Sequence, residues 1–190
     1  MELVLEKTKN GKTLKIYQDS DGCDPREDDN LCKMVCFTKS YDLGDKDHGY
    51  KSEDQNSFDE LYETIMAKEK PVAILPIYMY SHSGITINTT GYSCQWDSGQ
   101  IGWAYITNKK IDEMGTTLKD GESWTDYVAR LKEYIVGEVK HYDDYITGDV
   151  YRFEYTDENG EEDSCGGFFG TDWKTNGLAD HVDKELLDEL

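Results

Sequence analysis

The sequence predicts an α+β fold, a largely antiparallel sheet with two to four helices, one of them long and amphipathic. Three observations predict it. Short stretches of alternating polar and apolar residues come in pairs around Asn-Gly turns, at Asn10-Gly11 and Asn159-Gly160, the strongest local signal for a β-hairpin. After Ser123, apolar residues recur every three and four positions, the period of a helix with one buried face. Strand pairs come first and last with helical segments between them, which favours antiparallel pairing over repeated β-α-β units. At 190 residues the chain lies in the range of one domain, and residues 1–190 are expected to form one.

Each element follows in order. Glu2 to Lys7 and Thr13 to Tyr17 alternate on either side of Asn10-Gly11 and make the opening hairpin. Asp19 to Asn30 crowds acids around Gly22 and Pro25 and reads as a loop, and Met34-Val35-Cys36-Phe37 reads as a short buried strand. A second loop, Tyr41 to Gln55, leads to Asn56 or Ser57, an N-cap for a helix that carries Phe58, Leu61, Tyr62 and Ile65 on one face and is closed by Pro71. Pro71 to Tyr80 is the most apolar run, and its Ile, Val and Tyr content marks a central strand. Ile85 to Thr89 is its partner and Ile101 to Ile106 a third strand, with turn-forming residues from Gly91 to Gly99 between them. Trp124, Tyr127, Val128, Leu131, Tyr134, Ile135 and Val139 define the long helix, which reaches Tyr145 and stops at Gly148. Asp149 to Thr156 alternates, turns at Asn159-Gly160 and returns through Ser164 to Phe169. Leu178 to Leu190 is expected to be a short helix docked through Leu178, Val182, Leu186 and Leu190.

Forty acidic against twenty basic residues give a net charge of −20, and that imbalance restricts the partners. Direct nucleic-acid binding needs a basic stripe to displace counterions, whereas the sole basic cluster is Lys109-Lys110. Glycine-rich phosphate loops are absent as well. Fourteen Tyr, four Trp and five Phe are interleaved with the acids, unlike the aromatic-poor composition of disordered acidic chains. No apolar run approaches the length needed to span a bilayer, and the acidic start Met1 to Glu6 is unlike a secretory signal. The expected setting is cytoplasmic, without membrane contact.

The candidate chemistry is sparse. Five cysteines at irregular spacing, without Cys-x-x-Cys, suit reduced thiols. Cys32 and Cys36, flanked by Cys23 and His48, match no standard zinc spacing. Asp19, Asp21 and Asp24 around Gly22 invite a calcium reading, but the sixth and twelfth positions of such a loop hold Asp24 and Asn30 where Gly and Glu are required. No cofactor is expected. Cys94, His82 and Asp97 are the trio available to a cysteine hydrolase, which needs a thiolate, an imidazole within reach and an orienting acceptor. A pocket near Trp96 and Trp103 is a third option, for a small-molecule-binding module. Against these stand acidic patches suited to a cationic partner: Asp19, Asp21, Asp24, Glu27, Asp28 and Asp29 in the first loop; Glu138, Asp143, Asp144 and Asp149 around the end of the long helix, where they oppose its dipole; and Asp157, Glu158, Glu161, Glu162 and Asp163 at the last hairpin.

Several motifs carry a family resemblance. Asp24-Pro25-Arg26-Glu27-Asp28-Asp29-Asn30-Leu31, Met34-Val35-Cys36-Phe37 and Tyr41-Asp42-Leu43-Gly44-Asp45, followed by Cys94-Gln95-Trp96-Asp97-Ser98-Gly99-Gln100-Ile101-Gly102 and Tyr145 to Tyr151, resemble a family of small acidic proteins of phages and bacterial mobile elements. Cys32-Lys33 and Gly166 depart from its pattern, which has a small pair and an aromatic there. The family has no assigned activity, so the resemblance implies a bacterial host cell and no mechanism. In that setting the leading expectation is a counter-defence inhibitor, of the anti-CRISPR or anti-restriction kind, whose carboxylates imitate DNA and occupy the nucleic-acid groove of a basic host protein such as a defence nuclease.

Overall fold

A computed structural model describes residues 2–187. In chain order the elements are β1 (Leu3–Lys9), β2 (Lys12–Gln18), β3 (Lys33–Cys36), α1 (Phe58–Glu69), β4 (Ala73–Ser81), β5 (Ile85–Asn88), β6 (Ser98–Ile106), α2 (Asn108–Met114), α3 (Trp124–Thr147), β7 (Val150–Thr156) and β8 (Glu162–Phe169). The protein is α+β, with two four-stranded antiparallel sheets. The chain divides into two compact units, one made of the segments up to Pro25 and from Asp144 onward, the other Arg26–Asp143.

The first unit holds the sheet β1-β2-β7-β8. Asn10 and Gly11 both have positive φ (54° and 82°), as the tight turn favoured by Asn-Gly requires. At the other hairpin Asp157 Oδ1 accepts the backbone N–H groups of Asn159 and Glu161, each at 2.8 Å, and these donors hold its carboxyl below the usual range. One face of the sheet buries Leu14, Ile16, Tyr151, Phe153 and Phe168 against Trp173, Leu178, Val182, Leu186 and Leu187.

The C-terminal segment corrects one expectation. Leu178, Val182 and Leu186 are buried as their spacing requires, but Leu178 and Leu186 sit on two separate 3-10 turns, Leu178–Asp180 and Lys184–Leu186, with Val182 in the bend between them. Asp183 is the reason. Its backbone is extended, and its carboxylate is held 2.6 Å from Lys12 Nζ while accepting from the Tyr155 hydroxyl at 2.8 Å. Those bonds interrupt any continuous helix. Leu190 lies outside the described residues.

The second unit holds the sheet β3-β6-β4-β5. Ser57 caps α1 by accepting the Glu60 N–H, and the helix ends at Lys70 in the left-handed conformation just before Pro71. Its Leu61 and Ile65 pack on Val35, Tyr50 and Tyr105, with Ile74 and Trp103 at the margin. Met34, Cys36, Ala104 and Ile106, of opposite parity along β3 and β6, are also buried, so this sheet is covered on both faces. Tyr127, Leu131, Ile135, Val139 and Tyr142 form the buried stripe of α3. The sequence reading did not anticipate α2; Thr107 caps it by accepting the Lys110 N–H, and Ile111 is its single buried residue.

Candidate functional site

The acidic candidates separate into those the fold uses internally and those it leaves exposed. Glu138 belongs to the first group. Its carboxylate accepts from Leu31 N at 2.8 Å, from Cys32 N at 3.2 Å and from Arg26 Nη1 at 3.2 Å. Asp143 accepts from Ile87 N and Thr86 Oγ1, both at 2.8 Å, Asp144 is buried, and Asp149 accepts from the Tyr151 hydroxyl at 3.2 Å. Glu138 and Asp143 therefore accept long-range hydrogen bonds that fasten α3, which offsets the cost of negative charge near its C-terminal end.

Arg26 is the residue that sequence reasoning undervalued. Its side chain is 4% exposed and clamps Asp45 through Nε at 2.8 Å and Nη2 at 3.2 Å, while Nη2 also donates to the Cys32 carbonyl at 2.8 Å. Asp45 in turn accepts Met34 N at 2.8 Å. Two carboxylates, a guanidinium and three backbone N–H groups thus close one largely buried network centred on Arg26, in which every charge has an opposite partner. A signal for it existed, because Arg26 is the lone basic residue between Asp19 and Asn30. A cleft of about 510 Å³ lies beside it, lined among others by Arg26, Asp45, Tyr105, Lys109 and Lys110.

The exposed group is larger. In the first loop Asp19 Oδ1 is taken by Asp21 N at 3.1 Å, while Asp21, Glu27, Asp28 and Asp29 face solvent and Asp24 is half-buried. Glu27 pairs with Lys46 at 3.1 Å and Asp29 with Lys110 at 3.8 Å, both at exposed positions where ion pairs contribute little. The unit boundary at Pro25 divides this loop, with Asp19, Asp21 and Asp24 on one side and Glu27, Asp28 and Asp29 on the other. Glu158, Glu161, Glu162 and Asp163 face solvent at the β7–β8 hairpin. Glu158 is 3.5 Å from Lys12 Nζ. Among the described residues Glu161, Glu162 and Asp163 make no ion pair.

The trio of Cys94, His82 and Asp97 does meet, in an order unsuited to a thiol–imidazole relay. The Cys94 thiol donates to Asp97 Oδ2 at 3.7 Å, and His82 Nδ1 lies 3.5 Å from the same oxygen. The carboxylate stands between sulfur and imidazole, so the group positioned to take a proton from sulfur is Asp97. The corner is braced: the Ser98 hydroxyl donates to the Cys94 carbonyl, Ser81 N donates to the Asp97 carbonyl at 2.8 Å, and Tyr80 stacks on His82. Trp96 projects from it at 95% exposure, which corrects the expectation of a pocket near Trp96 and Trp103. Trp103 is instead half-buried against the margin of the core, its indole N–H donating to the Phe58 carbonyl at 2.8 Å. The neighbouring cleft, about 560 Å³, is lined by Tyr78, Tyr92, Gln95 and Gly99 with neither tryptophan.

Among the described residues no three His, Cys, Asp or Glu side chains converge as metal ligands would, at Asp19, Asp21 and Asp24 or elsewhere. Cys32, just before β3, and Cys36, its last residue, are buried, and burial pushes the Cys36 thiol up to about 12. No helix among them is long and apolar enough to cross a membrane. No family model, curated protein or solved structure matches the chain.

Proposed function

We propose that this chain is a counter-defence protein that binds a basic, nucleic-acid-binding host protein, such as a restriction or CRISPR nuclease, through its exposed carboxylates. One observation carries the reading. From Phe153 to Trp173 there is no Lys, Arg or His, and the acids of the β7–β8 hairpin stand in solvent with a single basic neighbour, Lys12, among the described residues. A surface of one sign attracts a cationic groove over distances longer than a contact and competes there with phosphates. Fold stability gives no reason for such an excess, since like charges repel in the compact state.

The test is competition. A restriction or CRISPR nuclease is assayed for target cleavage with the wild-type chain, with a variant carrying Glu158→Lys, Glu161→Lys, Glu162→Lys and Asp163→Lys, and with Cys94→Ala. The expected outcome is inhibition by wild type and Cys94→Ala, loss of inhibition in the lysine variant, and weakening with rising salt. Inhibition that depends on Cys94 and survives the lysine substitutions overturns the proposal.

A further inference from the structure

The strand that carries these carboxylates is also an open sheet edge. In the order β1-β2-β7-β8, β8 has β7 on one side and, among the described residues, no strand on the other. Its residues Glu162 to Gly167 are all exposed, and only Phe168 is buried. Register sets the usable length. Arg152 pairs with Gly166 and Tyr151 with Phe168, so Gly167, at φ 83°, is the extra residue of a bulge that bends the strand there. Glu162 to Gly166 remains as a regular run of five residues. Ser164 N, opposite Glu154 in the β7 ladder, donates to the Asp163 carboxylate at 2.8 Å, which shows that this N–H points away from β7 and takes a local substitute for a missing neighbour.

Open edges are usually blunted by lysine, proline or a covering segment, because they template pairing with another strand. Here the charged residues of the edge strand are all acids, and the bulge at Gly167 ends its regular run. Acids at Glu161, Glu162 and Asp163 disfavour parallel, in-register pairing between two copies of this chain, which places like charges side by side. The same charges favour a strand that alternates lysine or arginine with neutral residues.

Resting on the reading that the partner is basic, we infer that β8 is the docking site, and that an extended cationic segment of the partner adds to the sheet as a further strand along Glu162 to Gly166. Main-chain hydrogen bonds supply the alignment, and the carboxylates supply the charge selection. The Asp163–Ser164 bond opens on docking, releasing one N–H to the incoming strand and one carboxylate to a cation.

The test uses the whole chain and two octapeptides of alternating Lys and Thr, one with ordinary amides and one N-methylated at every residue. The two carry equal charge, but the second has no amide N–H to donate to a neighbouring strand on either edge. Fluorescence anisotropy at low salt is expected to show the methylated peptide binding at least about tenfold more weakly, a gap of about 1.4 kcal/mol. Amide exchange is expected to slow between Glu162 and Gly166 with the ordinary peptide alone. Equal, salt-sensitive binding of both peptides overturns strand addition while leaving the electrostatic reading intact. Absence of binding by either overturns both. Exchange protection of β8 without peptide, together with a dimeric sedimentation coefficient, overturns the inference in favour of self-pairing. Ser164→Pro, which removes the outward N–H, is expected to bind the two peptides alike; the exchange measurement on wild type stands apart from whether that variant folds.

Discussion

At the scale of single residues, the same side chain does different work according to what surrounds it. Glu138 and Glu162 are both glutamates in a strongly acidic chain, yet one receives two backbone N–H groups and a guanidinium while the other stands in water. Arg26 makes the first arrangement possible. Removing it leaves Asp45 and Glu138 without their cation, so Arg26→Ala is expected to destabilise by about 3–5 kcal/mol in urea unfolding followed by tryptophan fluorescence. Arg26→Lys is expected to fall well short of wild type, because an ammonium cannot span both carboxylates and the Cys32 carbonyl in one plane. Lys46→Ala, which breaks the exposed pair with Glu27, is expected to change stability by less than about 1 kcal/mol. The Asp19 to Asn30 loop and its single arginine were legible in the sequence, but not which acids the arginine holds. Asp45 is 19 positions away and Glu138 is 112 away, beyond the range of local patterning.

At the scale of elements, close backbone approach decides what the second sheet tolerates. A methyl group built on Gly102 would lie 1.9 Å from the Val35 carbonyl oxygen and 2.9 Å from the Cys36 Cα, so β3 would have to leave β6. Gly102→Ala is expected to cost about 3 kcal/mol, whereas Gly99→Ala on the same strand, with open space around it, is expected to stay within about 0.5 kcal/mol. Equal effects in urea denaturation would contradict the strand pairing. Hairpin turns, the Ser57 cap and the α3 stripe were readable because each depends on residues within one or two turns of chain. The C-terminal segment was misread, since Leu178, Val182 and Leu186 have helical spacing but Lys12 and Tyr155 hold Asp183 extended from distant strands. The exposed tryptophan at position 96 was misplaced too, because an aromatic among turn formers is compatible with a core contact or with none.

At the scale of the whole molecule, the net charge of −20 opposes compaction. Added sodium chloride screens repulsion between carboxylates, and the thermal midpoint is expected to rise by about 2–4 °C from low to physiological ionic strength, corresponding to about 1 kcal/mol for a chain of this size. A midpoint that falls with salt would mean that ion pairs outweigh the repulsion. Local chemistry written along the chain was sufficient for the α+β class, the two Asn-Gly hairpins, the long helix and the excess of negative charge, because propensity, turn conformation and composition act over a few residues. Only the tertiary structure decided which carboxylates are spent inside the fold and which remain for a partner, because that depends on the donor brought within about 3 Å of each oxygen. For Glu138 that donor, the Leu31 N–H, comes from 107 residues away.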